Sequence, residues 1–214
     1  MLWHKAQGAG GAGGDITGEL IEVAGADSGN VTLSAAPQAG DLLIAGVGTY
    51  LGTVGNPSGF TSLQYHRSTN WSASASYYYE SARVSYKIAT GTEGTSMAIG
   101  GSRGSALAVY RFNSPVTSVT KLTSTVQSLS VNRTQTVAMQ ANYTTYPQIY
   151  VCVVGAYNQQ SLSMTNQDFS NKYIQVSMAA TLRPIGHTPV DNSISGAGSF
   201  NEACVYADIA PNFD

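Results

Sequence analysis

Apolar residues along this chain recur at every second position in short runs, and Gly, Pro and Asn separate the runs. Val84-Ser-Tyr-Lys-Ile-Ala89 and Ala106-Leu-Ala-Val-Tyr-Arg-Phe112 carry the alternation, while Asn56-Pro-Ser-Gly-Phe-Thr61 and Gly91-Thr-Glu-Gly-Thr95 read as turns. Candidate strands are Glu19 to Val23, Val31 to Ala35, Asp41 to Thr49, Thr61 to Arg67, Tyr77 to Ala89, Thr95 to Ile99 and Ser105 to Phe112. They continue with Ser118 to Leu122, Gln127 to Val131, Thr134 to Gln140, Gln148 to Tyr157, Ile174 to Ala180 and Glu202 to Ala210. Many are rich in Val, Ile, Thr and Tyr, which fit a pleated, half-buried surface. No stretch keeps an apolar face at i, i+3, i+4, i+7 through three turns, so helix is expected to be nearly absent. The predicted fold class is all-β: an antiparallel β-sandwich, jelly-roll-like, in which the strand over Ala106 to Phe112 has one face ending in Arg111, so that strand's end is expected to reach solvent.

Two pairs of runs echo one another: Asp41 to Tyr50 with Gln148 to Tyr157, and Ser105 to Phe112 with Ala203 to Ile209. Either an internal duplication or two sheets that each need similar central strands produces such an echo.

Residues 1–14 stand apart. Gly8-Ala-Gly-Gly-Ala-Gly-Gly14 cannot bury enough apolar surface to offset its backbone entropy, so a flexible Gly-rich arm is expected there, followed by a single sandwich domain over 15–214. The arm carries Leu2, Trp3 and Lys5 near its tip. That is the make-up of a docking peptide, and equally of a disordered terminus that happens to contain Trp.

Composition narrows the function classes. The chain has 214 residues, enough for one sandwich with a sizeable core, but only 10% are charged against roughly 25% in ordinary soluble domains. Its polar surface must come from Ser, Thr, Asn, Gln, Tyr and Gly, which suits packing against other protein subunits. A net charge of -2 supplies no basic stripe for phosphates, so nucleic acid is not an expected partner. The apolar runs Leu42 to Val47 and Ile149 to Val154 fall far short of the ~20 residues of a membrane span, so no membrane insertion is expected. Met1 to Gln7 runs straight into Gly and Ala with no apolar h-region, so no secretory signal is read. Cys152 and Cys204 lie in β-like runs, as buried free thiols or as a disulfide between strands.

Motifs with catalytic associations lack their required context. Gly8 to Gly13 matches G-x-G-x-x-G without a preceding strand or following helix, and Gly100-Gly-Ser-Arg-Gly104 matches G-x-S-x-G with a strand after the serine where a helix is needed. Ser102 is therefore placed in a hairpin loop. His4, His66 and His187 stand alone, with no H-x-H or H-E-x-x-H pair to hold a metal. Asp27, Glu80, Glu93, Asp168, Asp191 and Glu202 are dispersed, with no marked pair for acid–base work. No catalytic, cofactor-binding or metal-ligating residue is assigned and no cofactor is expected. Asn30, Asn70, Asn132 and Asn142 begin N-x-[ST] triplets that read as chance in a chain rich in these residues.

Binding finds more support. Arg67-Ser-Thr-Asn-Trp-Ser-Ala-Ser-Ala-Ser-Tyr-Tyr-Tyr79 is polar and too long for a tight turn, and Tyr77, Tyr78 and Tyr79 cannot all face one core. Either Tyr77 and Tyr79 alternate inward, or this aromatic surface with Trp71 meets a partner, as rings among Asn, Ser and Thr do at sugar platforms and protein hot spots. Thr144, Tyr146 and the region from Tyr157 and Asn158 to Met164 form a second polar, aromatic loop region of the same character.

At Gly40-Asp-Leu-Leu-Ile-Ala-Gly-Val, Pro57-Ser-Gly-Phe-Thr61 and Tyr86-Lys-Ile-Ala-Thr-Gly-Thr-Glu-Gly-Thr95, the chain resembles a recurrent β-sandwich module of bacteriophage virion proteins. That module strings together a G-D-L-L strand, a P-x-G-[WF]-T turn and a Y-K-x-A-x-G-x-E block, followed by an Ala- and Val-rich strand. The match covers roughly residues 30 to 113; Phe60 stands where Trp is commoner, and the second half matches only in its β character. The resemblance implies a non-enzymatic structural or adhesive role in a virion, as capsid decoration, fibre or tail component. Implied partners are other virion proteins and further copies of the chain, with a host-surface glycan or receptor at the Trp71 and Tyr77 to Tyr79 region. A lectin-like carbohydrate-binding module shares the fold and the exposed aromatics, and is the competing reading.

Overall fold

Leu42-Leu-Ile-Ala-Gly-Val-Gly-Thr49 has no polar residue before its last position, and both of its faces are buried. That one strand sets the architecture, because a strand covered on both sides needs a layer above and a layer below. The computed structural model describes residues 16–26, 29–49, 53–68, 71–73, 76–78, 81–100, 104–129, 134–137, 147–155, 161–164, 172–173, 176–183, 192–197 and 202–213. In chain order the strands are β1 (Gly18–Ala26), β2 (Asn30–Thr32), β3 (Leu42–Thr49), β4 (Thr61–Arg67), β5 (Trp71–Ala73), β6 (Ser76–Tyr78), β7 (Ser81–Ile88), β8 (Ser96–Ala98) and β9 (Ser105–Phe112). There follow β10 (Val116–Leu129), β11 (Thr134–Val137), β12 (Gln148–Gly155), β13 (Ser161–Met164), β14 (Lys172–Tyr173), β15 (Val176–Arg183), β16 (Asn192–Ala197) and β17 (Glu202–Phe213). No helix occurs among the described residues.

Two five-stranded antiparallel sheets, ordered β1-β9-β3-β7-β4 and β10-β17-β12-β15-β14, stack as a sandwich. Between them Leu42, Ile44, Ala106, Ala108 and Tyr110 of the first sheet meet Ile149, Val151, Val153, Val205, Ala207 and Ile209 of the second. On the outer face of the first sheet, Leu43, Ala45, Val47, Leu107 and Val109 pack beneath Val31, Leu33 and Ile99, in and beside the β2-β8 ladder. Each buried Leu, Ile or Val contributes about 1.5–3 kcal/mol of transfer free energy, and the two clusters cover the two faces of the first sheet.

The second half of the chain repeats the first. In chain order, β1, β3, β4, β7 and β9 occupy the same places in their sheet as β10, β12, β14, β15 and β17 do in theirs. The ladder β2-β8 has its counterpart in β11-β16. Equivalent residues can be read from the registers: Leu42 pairs with Tyr110 as Ile149 pairs with Ile209. A β-bulge falls at the same step in both outer strands. Leu20 faces Tyr110 and Glu22 faces Val109; Lys121 faces Ile209 and Thr123 faces Asp208. A shared need for apolar central strands explains neither the common order of five strands nor the common bulge, so the weak sequence echo is the trace of an internal repeat. The sheets face each other in opposite order, β3 over β12, β7 over β17, β9 over β15 and β4 over β10, as an approximate two-fold relation between halves requires.

Several predicted elements are corrected. The run Ser118 to Leu122 and the described part of the run Gln127 to Val131, residues 127–129, belong to one 14-residue strand, β10, bent by bulges. The run Tyr77 to Ala89 is divided into β6 and β7. Strands β5, β13, β14 and β16 were not expected, and β13 lies inside a region read as loop. These short strands are rich in Ser and too short to alternate clearly, so pairing with a neighbour makes them strands.

Candidate functional site

The blocks that carry the family resemblance converge on one end of the sandwich. Asp41 enters β3 there with its carboxylate 3% exposed, and Arg111 at the end of β9 donates to it through Nε at 2.9 Å and Nη2 at 2.7 Å. The Gln38 N–H adds a third hydrogen bond at 2.8 Å, and the Asp41 contact raises the pKa of Arg111. Arg111, where the strand was expected to meet solvent, is thus partly exposed and fixed by a bidentate ion pair. Beside it Gly40 sits at φ +86°, and a Cβ there would stand 2.8 Å from the Cβ of Pro115, so the position suits glycine on both counts.

The other two blocks close turns at the same end. In the Pro57 to Phe60 turn, Gly59 takes φ +77° and the Phe60 N–H donates to the Pro57 carbonyl at 3.1 Å. Asn56 locks that turn to β7, accepting from the Ser85 hydroxyl at 2.6 Å through Oδ1 and donating through Nδ2 to the Phe60 carbonyl. Glu93 folds back on the segment before it: its carboxylate accepts from the N–H groups of Thr90 and Gly91 at 3.0 and 2.9 Å, and pairs with Lys87 Nζ at 2.8 Å. Burial alone would raise its pKa, but the bonds from Lys87 and Thr90 prevail and bring it to about 2. The charged residues of the Y-K-x-A-x-G-x-E block are thereby consumed in a turn.

At the opposite end stands an element that the sheets do not use. Strands β4 and β7 form a hairpin whose last sheet pair is Arg67↔Ser81, and the ladder resumes beyond it as Trp71↔Tyr78, Ser72↔Tyr77 and Ala73↔Ser76 in β5 and β6. Among the described strands this ribbon pairs with no other. Three of the aromatic residues singled out from the sequence, Trp71, Tyr77 and Tyr78, therefore share one ribbon, with Trp71 directly opposite Tyr78. At its base the Arg83 guanidinium lies 4.7 Å over the Tyr65 ring and donates to the Ser62 hydroxyl at 2.7 Å. His66, one position before Arg67, has its pKa lowered by burial and is neutral at pH 7. The sequence carried no hairpin signal here, since Ser-Ala stands between Ala73 and Ser76 where Asn-Gly would announce a two-residue turn.

Leu2, Trp3 and Lys5, Tyr79, Tyr157 and Asn158, with Thr144, Tyr146 and Ser102, lie outside the described residues. Of the second loop region, Ser161–Met164 is a strand paired with β16. The registers set Cys152 opposite Tyr206 and Cys204 opposite Val154, a diagonal of about 7–8 Å between Cα atoms that a disulfide rarely spans. Among the described residues no group of three His, Cys, Asp or Glu is placed to hold a metal ion. Comparison with family models, with curated proteins and with solved structures finds no match.

Proposed function

We propose that this chain is a non-enzymatic structural component of a bacteriophage virion, as capsid decoration, fibre or tail protein, present in several copies and contributing to assembly and host contact. One observation carries the reading. The three blocks that resemble the virion module meet at a single end of the sandwich, and each is engaged in an ion pair or a turn: Asp41 with Arg111, Asn56 with Ser85, Glu93 with Lys87. A motif held for its structure, shared without a reacting group, is what a building module passes between proteins of different position in a particle. In this reading the fold is two jelly-roll-like windings set back to back, and the low charge of the surface favours close contact with neighbouring subunits.

The sandwich has a natural polarity for that role. Gly18 pairs with Phe112 and Phe213 with Val116, so the first and last strands open and close at the resemblance end, while the β5-β6 ladder follows the last β4-β7 pair at the other. Attachment through the Leu2, Trp3 and Lys5 arm leaves the ribbon free to meet a receptor.

Light scattering on the full chain, followed by incorporation assays, tests the proposal. A closed ring or trimer that co-purifies with particles is the expected result. Deleting residues 1–14 should leave the sandwich folded and abolish incorporation. Normal incorporation of that variant overturns the docking arm, and a monomer absent from every virion preparation overturns the structural role.

A further inference from the structure

We infer that β1 around Leu20, Ile21 and Val23 is the docking site for the Leu2-Trp3 tip of a second copy of this chain. The inference deepens the assembly part of the proposed function and rests on its reading of several copies. The internal repeat supplies the reference. Leu20 faces Tyr110 and Val23 faces Ala108, as Lys121 faces Ile209 and Ser124 faces Ala207, so Leu20 and Val23 hold in β1 the places of Lys121 and Ser124 in β10. In β10 both positions are polar and bond across the seam to β4, Lys121 Nζ to the Leu63 carbonyl and Ser124 Oγ to Gln64 Oε1, each at 3.1 Å. In β1 the same positions are apolar. Leu20 and Val23 pack against the inter-sheet core but are only partly buried, and Ile21, at the bulge, is the only exposed large apolar side chain among the described residues, at 39%. Three neighbouring apolar side chains thus keep surface in water where the other half of the fold places a lysine and a serine, and covering them is favourable.

The occupant follows from what precedes β1 and where it joins. Trp3 stands thirteen positions before Ile16, a reach of at most about 45 Å. Ile16 is buried in the inter-sheet core, and Thr17 exchanges hydrogen bonds with Asn113 at 2.9 and 3.0 Å, so the preceding segment is anchored at the start of β1. That segment brings Leu2 and Trp3 together with Lys5, and β1 offers the complement: Glu19 and Glu22 flank Leu20 and Ile21, and the strand has no cationic residue of its own. Arg111, which faces Glu19 in the register, is engaged by Asp41. A Trp entering an apolar contact is the residue type that concentrates binding free energy, and opposite charges beside it fix its register. The bulge interrupts the β1 ladder, so the contact is made by side chains and does not extend the sheet. A tip seated on its own β1 must double back along the strand it has just joined. Seated on the next copy it makes a head-to-tail contact, the kind that closes into a ring.

Photo-crosslinking on the full chain tests the assignment. Chain carrying a benzophenone amino acid at position 21 is mixed, under conditions that let subunits exchange, with an equal amount of unmodified chain labelled with heavy nitrogen, then illuminated and digested. Cross-links from position 21 to residues 1–7 that bear the heavy label are expected. Arm peptides that are never heavy place the tip on its own chain and overturn the exchange, and an absence of cross-links to residues 1–7 overturns the site. Ile21→Thr and Trp3→Ala are each expected to weaken self-association about ten-fold or more in sedimentation, at an unchanged thermal midpoint, and the double variant no further than the more severe single one. Fully additive losses overturn the pairing of the two residues. Incorporation into particles is scored separately: arm exchange in a chain that enters no particle overturns the virion role and leaves the β1 site standing, whereas incorporation without cross-linking at β1 overturns the site and leaves the virion role.

Discussion

Tyr110 fills the centre of the inter-sheet core with no exposure to solvent, and its hydroxyl meets no hydrogen-bond partner among the described residues. Burial pushes its pKa far up, so the group stays neutral at any ordinary pH. Its counterpart in the repeat is Ile209, which fills the equivalent place without a polar atom. Tyr110→Phe is therefore expected to leave stability unchanged or to raise it by about 1 kcal/mol, read as a higher urea midpoint at the same slope, because an unsatisfied hydroxyl costs free energy when buried. Glu93 behaves in the opposite sense. Its folded pKa of about 2 lies below the ordinary 4.5, so its contribution is complete above pH 4.5 and is lost as pH falls toward 2. A thermal midpoint followed over that interval should decline less steeply for Glu93→Gln than for the native chain, from a lower starting value at pH 7. An identical slope in the two proteins would place the acid sensitivity elsewhere.

At the scale of elements, the outer strands show how the sandwich avoids pairing edge to edge. β1 and β10 carry the shared bulge, β4 carries another between Ser62 and Gln64, and β14 is two residues long. Carboxylates and an inward-pointing lysine add to this protection. Glu22 accepts from Ser34 Oγ at 2.7 Å, and Lys121 Nζ reaches the Leu63 carbonyl at 3.1 Å. Lys121, with Ser124 Oγ on Gln64 at 3.1 Å, also closes the seam between β10 and β4. Lys121→Val removes the inward charge and extends an apolar edge, so assemblies larger than the native ones, growing with concentration, are expected by light scattering. A native size distribution at all concentrations would show that the bulge suffices without the lysine. The bulges were invisible in the sequence, because one extra residue in a polar stretch such as Lys121-Leu-Thr123 leaves no mark on its periodicity.

At the scale of the whole molecule, the two repeats are not independent units. Ala106, Ala108 and Tyr110 are covered by residues from the other half, so each sheet alone would expose an entire apolar face. Residues 16–113 expressed alone are expected to lack dispersed NMR resonances, and co-expression with 114–214 should restore them. A folded isolated half would mean that the outer cluster around Leu43, Val47, Leu107 and Ile99 is enough by itself.

The sequence by itself determined the fold class, the central strands and the turns. Alternation in β7, the uninterrupted run in β3 and the Gly, Pro and Asn turns are local properties, set by Ramachandran preference and by burial of alternate side chains. The tertiary structure alone decided the rest, since it depends on which distant segments meet. The Asp41–Arg111 ion pair joins positions 70 apart, and the repeat became visible only through a common strand order and bulge. For the candidate site, the sequence supplied the chemistry of Trp71, Tyr77 and Tyr78, whereas pairing across the hairpin put them on one ribbon. Pairing partners are chosen by the geometry of the whole sheet, and no local pattern of hydrophobic and polar residues encodes that choice.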